Sequence, residues 1–391
     1  MRIALVTRRF DPAGGGTERD LMITARLLVD AGHRVTIYAE EVRAATNEWP
    51  VRRVASRGLG RALGLLWFAR AAAATARREG TELVLSFARI MDADVLRSGG
   101  GAHSSYVRAA SRWQSGPARW AMRISPYHRV QRLVERRGFE SPRLKCAIAV
   151  SNLVRDDLMR TFALAPERAV TLYNGVELDR FKTEADAAAR GAIRREFGVN
   201  DARPAVLFVG NGFARKGLRF LIEAWPAVTR DAWLIVVGAD QAAAAYERLA
   251  GRLGLTERIK FLGRRSDVAR LMRGADVLAL PSLFEPFGNV ALEAMASGAP
   301  ALTTVFCGVA EVMPEGLRLG VVNNPANHAE LVERMNRLIE AAPALRGAAR
   351  AAAEPFTWER HGRELLEIVA AAADGESTSG QRTGADARVL R

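Results

Sequence analysis

Short runs rich in Val, Ile, Leu and Ala recur along this chain, and between them lie longer stretches whose apolar positions return every three or four residues. Runs of that length and composition read as buried strands, and the 3.6-period stretches read as the helices that cover them. In the first half the strand-like runs fall at 3–7, 34–38, 51–54, 83–86, 95–97, 147–150 and 170–173. In the second half they fall at 206–209, 234–237, 259–262, 277–280, 301–303 and 320–322. Strand–helix alternation of this kind builds parallel sheets with helices on both faces. The expected class is therefore α/β, with two Rossmann-like, doubly wound parallel-sheet domains. Turn residues Asn174-Gly175 separate the halves, which places an N-terminal domain at 1–173, a hinge at 174–182 and a C-terminal domain at 183–355. A closing helix is expected over 356–373, with Trp358 as its docking anchor, and the polar stretch 374–391 reads as a disordered tail.

Several second-half runs stop abruptly at Gly210, Gly238, Gly263 or Pro281, so Arg215, Lys216, Arg264 and Glu285 all follow strand ends. Ligands of doubly wound sheets bind outside the carboxyl ends of the strands. Glu285-Pro286-Phe287-Gly288-Asn289-Val290-Ala291-Leu292-Glu293 puts one carboxylate before a turn and a second about one turn inside the apolar helix that follows. A helix start attracts phosphate, and Gly288, Asn289 and Val290 offer backbone N–H groups there. A carboxylate just beyond can accept both hydroxyls of a ribose. The plainer alternative makes Glu285 a cap and Glu293 an exposed helical residue.

Arg215-Lys216 combines a planar fork with a mobile point charge, a pair suited to a diphosphate. In a chain with 53 Arg and four Lys, a lysine at that place stands out; alone, the pair would read as solvated surface. Gly14-Gly15-Gly16 follows the first strand, and Gly15 and Gly16 let backbone N–H groups approach a phosphate while Thr17 can cap the next helix. A plain flexible loop is the alternative. The fingerprint of dinucleotide enzymes is missing, since its last Gly would fall where Arg19 stands. His103 follows a strand end and a run of glycines and is either a structural histidine or a contact to a sugar. Asp92-Ala93-Asp94 has metal-binding spacing but sits in a first-half loop and reads as two solvated acids, so no metal is expected.

Composition narrows the class. The chain has 391 residues, 49% of them apolar, enough for two or three domains with real cores. Cys146 and Cys307 are far apart in sequence, which suggests neither a disulfide framework nor a zinc site. The N-terminal apolar run is too short for a signal peptide, and none approaches the roughly 18 residues of a membrane span. The cytosol is the default location. Net charge is +14, and residues 103–145 concentrate it: ten Arg or Lys against two Glu. Within 104–145, Trp113, Trp120, Ile124 and Tyr127 follow helical spacing on one face beside Arg112, Arg119 and Arg123, with Pro117 and Pro126 breaking the stretch into short helices. Basic amphipathic segments with Trp suit an anionic membrane surface. The alternative is a helical lid whose Trp residues pack inward. The charge would also suit nucleic acid, but the nucleotide clamp in the other half makes a lipid-linked glycan the better partner.

The Glu285–Glu293 element, followed by Ala294-Met295-Ala296-Ser297-Gly298, resembles the Glu-x7-Glu motif of retaining glycosyltransferases of family 4. Gly14-Gly15-Gly16-Thr17-Glu18-Arg19, Asn174-Gly175-Val176-Glu177 and Arg215-Lys216-Gly217 stand in the family's order, and the resemblance covers about residues 1–373. Thr303-Thr304-Val305-Phe306-Cys307-Gly308 is similar to the bacterial enzymes that glucosylate the heptose of lipopolysaccharide core. The resemblance implies the GT-B fold, two domains facing across a cleft with the last helix crossing back to the first. It implies Glu293 on the ribose, Arg215 and Lys216 on the diphosphate, and Glu285 with His103 near the donor sugar. These heptose glucosyltransferases lack a His at the place of His103, a departure that leaves its role open.

The reading that follows is a retaining, metal-independent hexosyltransferase. It uses UDP-glucose as donor substrate, needs no cofactor, and acts on lipopolysaccharide core or another membrane-associated glycan at the inner face of the cytoplasmic membrane. Glycosyltransferases of other cell-surface polysaccharides, or an epimerase of the same fold, share the nucleotide clamp. A phosphorylase would need one of Lys182, Lys216 and Lys260 for pyridoxal phosphate. A non-catalytic, membrane-bound protein that binds nucleotide without turnover is the remaining class.

Overall fold

The computed structural model describes residues 1–12, 14, 16–44, 46–56, 60–114, 116–184, 187–199, 203–228 and 232–375. Each of the thirteen expected runs holds a strand. The first seven are β1 (Arg2–Phe10), β2 (Arg34–Val42), β3 (Val51–Arg53), β4 (Leu83–Ser86), β5 (Val95–Ser98), β6 (Cys146–Ala149) and β7 (Ala169–Thr171). The helices among them are α1 (Gly16–Asp30), α2 (Arg61–Arg78), α3 (His103–Ala110), α4 (Gly116–Ile124), α5 (Pro126–Phe139) and α6 (Asn152–Phe162). After them come α7 (Ala187–Glu196), β8 (Ala205–Val209), α8 (Leu218–Ala224), β9 (Trp233–Val237), α9 (Ala243–Arg252), β10 (Ile259–Gly263) and α10 (Val268–Gly274). The chain closes with β11 (Val277–Ala279), α11 (Asn289–Ala296), β12 (Ala301–Thr304), β13 (Val321–Val322), α12 (His328–Ala353) and α13 (Trp358–Asp374).

Among the described residues the chain forms two compact units, Met1–Tyr173 with 361–375, and Asn174–Arg360. In the first, a seven-stranded sheet runs β3-β2-β1-β4-β5-β6-β7, every pair parallel. Leu5 pairs with Ile37 on one side and Leu85 on the other, and all three are buried. Strands covered on both faces lose the apolar–polar alternation of half-exposed ones, which is why β6 is apolar throughout and β4 is apolar up to its last residue, Ser86. The core joins Ile3, Leu5, Ile37 and Leu85 to Leu21 and Leu28 of α1 and to Leu365, Ile368 and Val369 of α13. Gly362 lies where any Cβ would meet the Leu27 side chain at 2.7 Å, so α13 seats directly against α1. The apolar stripe of α13, not Trp358, docks that helix; Trp358 belongs to the second unit.

The second unit has a six-stranded parallel sheet, β10-β9-β8-β11-β12-β13. Its core packs Phe208, Phe213, Trp225 and Val236 against Leu331, Met335 and Leu338 of α12. The expected hinge is locally ordered: Val176 pairs with Thr357, its N–H donates to Phe356 O at 2.8 Å, and Phe181 is buried. Helix α13 continues to Asp374, and the remainder of the expected tail from 376 onward lies outside the described residues.

The basic segment is helical but not one continuous face. Pro117 enters the first turn of α4 and Pro126 opens α5, while Trp113 falls in the turn after α3 and packs edge-on to Tyr106 at 6.0 Å. Tyr127 lies under the Arg61 guanidinium at 4.8 Å. Only Trp120 (64% exposed) and Ile124 (43%) share an outward face, on α4. The two prolines start new helices with new axes, so spacing counted across them loses its meaning.

Candidate active site

In a doubly wound sheet the switch point lies where successive connections leave in opposite directions, and loops there diverge to leave a crevice. In the second unit the chain goes from β8 outward to β9 and β10, then returns to β11 on the other side of β8. The loops after β8 and β11 flank that point, and they carry Arg215-Lys216 and Glu285.

The structure brings these three together. Glu285 Oε2 accepts from Lys216 Nζ at 2.8 Å and from Arg215 Nη1 at 2.9 Å. Arg215 Nη1 also donates to Phe284 O at 2.7 Å, and Leu283 N–H donates to Arg215 O, so the two loops are tied by backbone and side chain. The lysine stem passes over Gly210, where a Cβ would stand 2.4 Å from Cε, and Gly217 (φ +77°) passes Pro281 O at a distance no Cβ could tolerate. Burial pulls the Glu285 carboxyl up, but Lys216 and Arg215 together pull harder, holding it below the ordinary carboxylate range. One carboxylate against two cations leaves the cluster net positive, with further N–H donors on both cations.

Glu285 itself is pinned from behind. Its N–H donates to Phe306 O at 3.0 Å, and its carbonyl accepts from Gly308 N–H at 3.1 Å. Cys307, between them, donates its thiol to Phe287 O at 3.1 Å, and burial pushes that thiol up to about 12. Cys307 is thus a brace without nucleophilic character. The sequence placed it in a motif and excluded it from a disulfide or zinc site, but nothing in its spacing signalled this role.

The turn then enters α11 through Gly288 at φ +100°, with no side-chain cap, leaving the first-turn N–H groups of Asn289 and Val290 to an outside acceptor. Asn289 is oriented by a 2.8 Å bond from Asn174 Nδ2, a contact the sequence did not reveal. Glu293 is half-buried in the second turn of α11 and is not among the Glu285 contacts. Arg264 is exposed after the edge strand β10, away from the cluster.

In the first unit the corresponding point lies between β1 and β4. Helix α1 starts at Gly16, so Thr17 lies inside it rather than capping it, and Gly15 is outside the described residues. Glu18 in its first turn pairs with Arg9 at 2.7 Å. His103 opens α3, 6% exposed, with Nε2 2.8 Å from His128 Nδ1. Desolvation, then Arg89, His128 and Arg132, depress His103 to about 4. Its N–H donates to both oxygens of Glu135, and Arg89 Nε binds the same carboxylate at 2.8 Å. Asp92 and Asp94 share Arg77, and Asp94 also accepts the Val84 N–H at 2.8 Å. These two acids are structural. Among the described residues no three His, Cys, Asp or Glu side chains group as a metal site would require.

Family models match both units. Residues 14–180 match the model of Glycosyltransferase Family 4, and residues 189–355 match that of Glycosyl transferases group 1. The chain belongs to the family 4 glycosyltransferases. It is similar to a probable transglycosylase of Burkholderia thailandensis, 30% identical over 94% of this chain and 97% of that protein. It is 26% identical to the lipopolysaccharide glucosyltransferase WaaG of Escherichia coli, over 88% of this chain and 91% of that one. The solved WaaG structure superposes with a TM-score of 0.77 over 94% of this chain and 99% of that one, at 24% identity, and so carries the GT-B fold. Anabaena HepE, solved with UDP and glucose, gives 0.70 over 95% of this chain and 100% of that one, at 20% identity. This transferase has no helix among its described residues long and apolar enough to cross a membrane.

Proposed function

We propose that the protein transfers glucose from UDP-glucose, with retention of configuration, to a membrane-associated glycan of the lipopolysaccharide-core kind. The observation that carries this is the Lys216–Glu285–Arg215 cluster beside the start of α11, at the switch point of the second sheet. A diphosphate bound there meets Arg215, Lys216 and the N–H groups of Gly288, Asn289 and Val290; Glu293 takes the ribose hydroxyls and Glu285 faces the sugar. Charge grows on the departing phosphate as the glycosidic bond breaks, and donors already fixed in place stabilise it without reorganising. Those two cations supply what a metal supplies in other transferases, so the reaction runs without one. Cys307 is held as a thiol and Glu285 is held by two cations, so neither is set up as a nucleophile. Attack from the leaving-group face, with the phosphate accepting the acceptor's proton, gives retention.

Similarity to WaaG supports glucose and a lipopolysaccharide acceptor, and HepE supports a uridine donor. The outward Trp120 and Ile124 on a strongly basic segment support attachment to an anionic membrane face. The test is a panel of sugar nucleotides with a heptose-containing acceptor, followed by NMR of the product's anomeric proton. UDP-glucose should give an α-glucoside; turnover only with another donor, or an inverted product, overturns the reading.

A further inference from the structure

Many arginines beside acidic groups in this unit are paired with them, and four that are not gather around one groove. The groove lies among α3, α4 and α5, has a volume of about 300 Å³, and is lined by Arg108, Arg119, Arg123 and Arg132. None of the four makes an ion pair among the described residues, while nearby Arg89, Arg136 and Arg143 are paired with Glu135, Glu140 and Asp92. All four are exposed, so solvent screens their mutual repulsion, and an anion entering the concavity meets four guanidinium groups at once. Ser104 Oγ and Gln114 Oε1, on the same lining, also lack a hydrogen-bond partner among the described residues.

We infer that this groove is a binding site for an acidic saccharide, one carrying at least two carboxylate or phosphate groups. Guanidinium forks match such groups bidentately, and Ser104 and Gln114 supply the neutral hydrogen bonds that sugar hydroxyls require. A nucleotide fits less well, since among the described residues no aromatic side chain lines the groove to stack on a base. A lipid surface is met by a different side of α4: Arg119 and Arg123 line the groove, whereas Trp120 and Ile124 are absent from it and exposed. The ligand would be the charged part of the acceptor, so the inference rests on the reading of this unit as the acceptor-binding one. The groove then selects for acidic glycans rather than for membranes.

Calorimetry on the full chain tests it, with trigalacturonate as the acidic probe and maltotriose as its neutral counterpart. Helix α4 has no buried side chain, so Arg119→Gln with Arg123→Gln leaves the fold in place, which circular dichroism verifies. Trigalacturonate should bind, maltotriose should not, and the double variant should weaken trigalacturonate at least tenfold. Failure of trigalacturonate to bind, or equal binding to the double variant, overturns the site. So does dependence of phosphatidylglycerol-vesicle binding on these arginines without any trigalacturonate binding, which would make the groove a headgroup site. UDP-glucose binding and hydrolysis are measured separately: their loss with trigalacturonate binding intact would sink the transferase reading and leave the groove standing.

Discussion

Glu285 in the second unit and Glu135 in the first are the same side chain in similar burial, and they end in opposite states. Glu285 has two cations on one oxygen and is held below the ordinary carboxylate range. Glu135 is almost wholly buried, and desolvation outweighs Arg89 and the His103 N–H, so its pKa is raised. The first arrangement stores net positive charge beside a helix start. The second neutralises itself and fixes the entry of α3. One extra cation separates a site poised for an anion from a structural knot.

The largest test breaks the charged side of that contrast. Arg215→Ala with Lys216→Ala should abolish transfer at saturating donor, each lost donor costing on the order of 3 kcal/mol of barrier. Glu285, left without partners, should take up a proton, so the fold should survive. Near-normal turnover of the double variant would remove the cluster from the mechanism.

Glutamine replacements compare the two carboxylates directly. Glu285→Gln leaves two adjacent cations uncompensated and should cost on the order of 2 kcal/mol of stability at pH 7, discounted from the 3–5 kcal/mol of a fully buried pair. Glu135→Gln keeps an acceptor for the His103 N–H and should cost about 1 kcal/mol. Urea midpoints of the two proteins give the answer; equal losses would mean that the cation count does not govern.

The pH response sharpens the contrast further. His103 falls from 6.5 to about 4 on folding and His361 to about 3, both because burial disfavours the charged ring. The unfolded chain therefore binds more protons through that window, and stability is lost as pH falls from about 6.5 toward 4. The Glu285 contribution, from a depressed carboxyl, is lost only lower, as pH falls through its folded value. For His103 alone the linkage is worth about 3 kcal/mol. His103→Gln should flatten the melting-temperature profile between pH 6.5 and 4, and an unchanged slope would show that the ring is not held neutral.

The smallest effects concern the metal and the membrane. Excess EDTA should leave turnover unchanged, and restoration by manganese after inhibition would contradict the charge assignment. Trp120→Ala should reduce sedimentation with anionic vesicles several-fold, more at low salt, because screening shortens charge reach to about 8 Å at physiological ionic strength.

The strand positions were readable because parallel strands, buried on both faces, leave apolar runs that end at Gly or Pro where the loops must turn. Arg215, Lys216 and Glu285 were found for the same reason: they follow such ends. Their mutual bonding was not legible, since 69 and 70 residues separate the cations from the acid in sequence. The contacts of Cys307 and Asn174 were not legible, because a thiol on a carbonyl and an amide on an amide leave no periodic trace. The single aromatic face drawn through Trp113, Trp120 and Tyr127 failed because helical spacing was carried past two prolines that reset the axis.

Helix α13 gives Leu365, Ile368 and Val369 to the core whose strands were laid down first, Ile3 and Leu5 among them. During synthesis the ribosome finishes nearly the whole Asn174–Arg360 unit before it releases the helix that closes the earlier one. At roughly 5–20 residues per second, the leading half waits on the order of ten seconds or more with an apolar sheet face uncovered. The order of completion is thereby inverted: the second unit is fully synthesised before the helix on which the N-terminal unit depends.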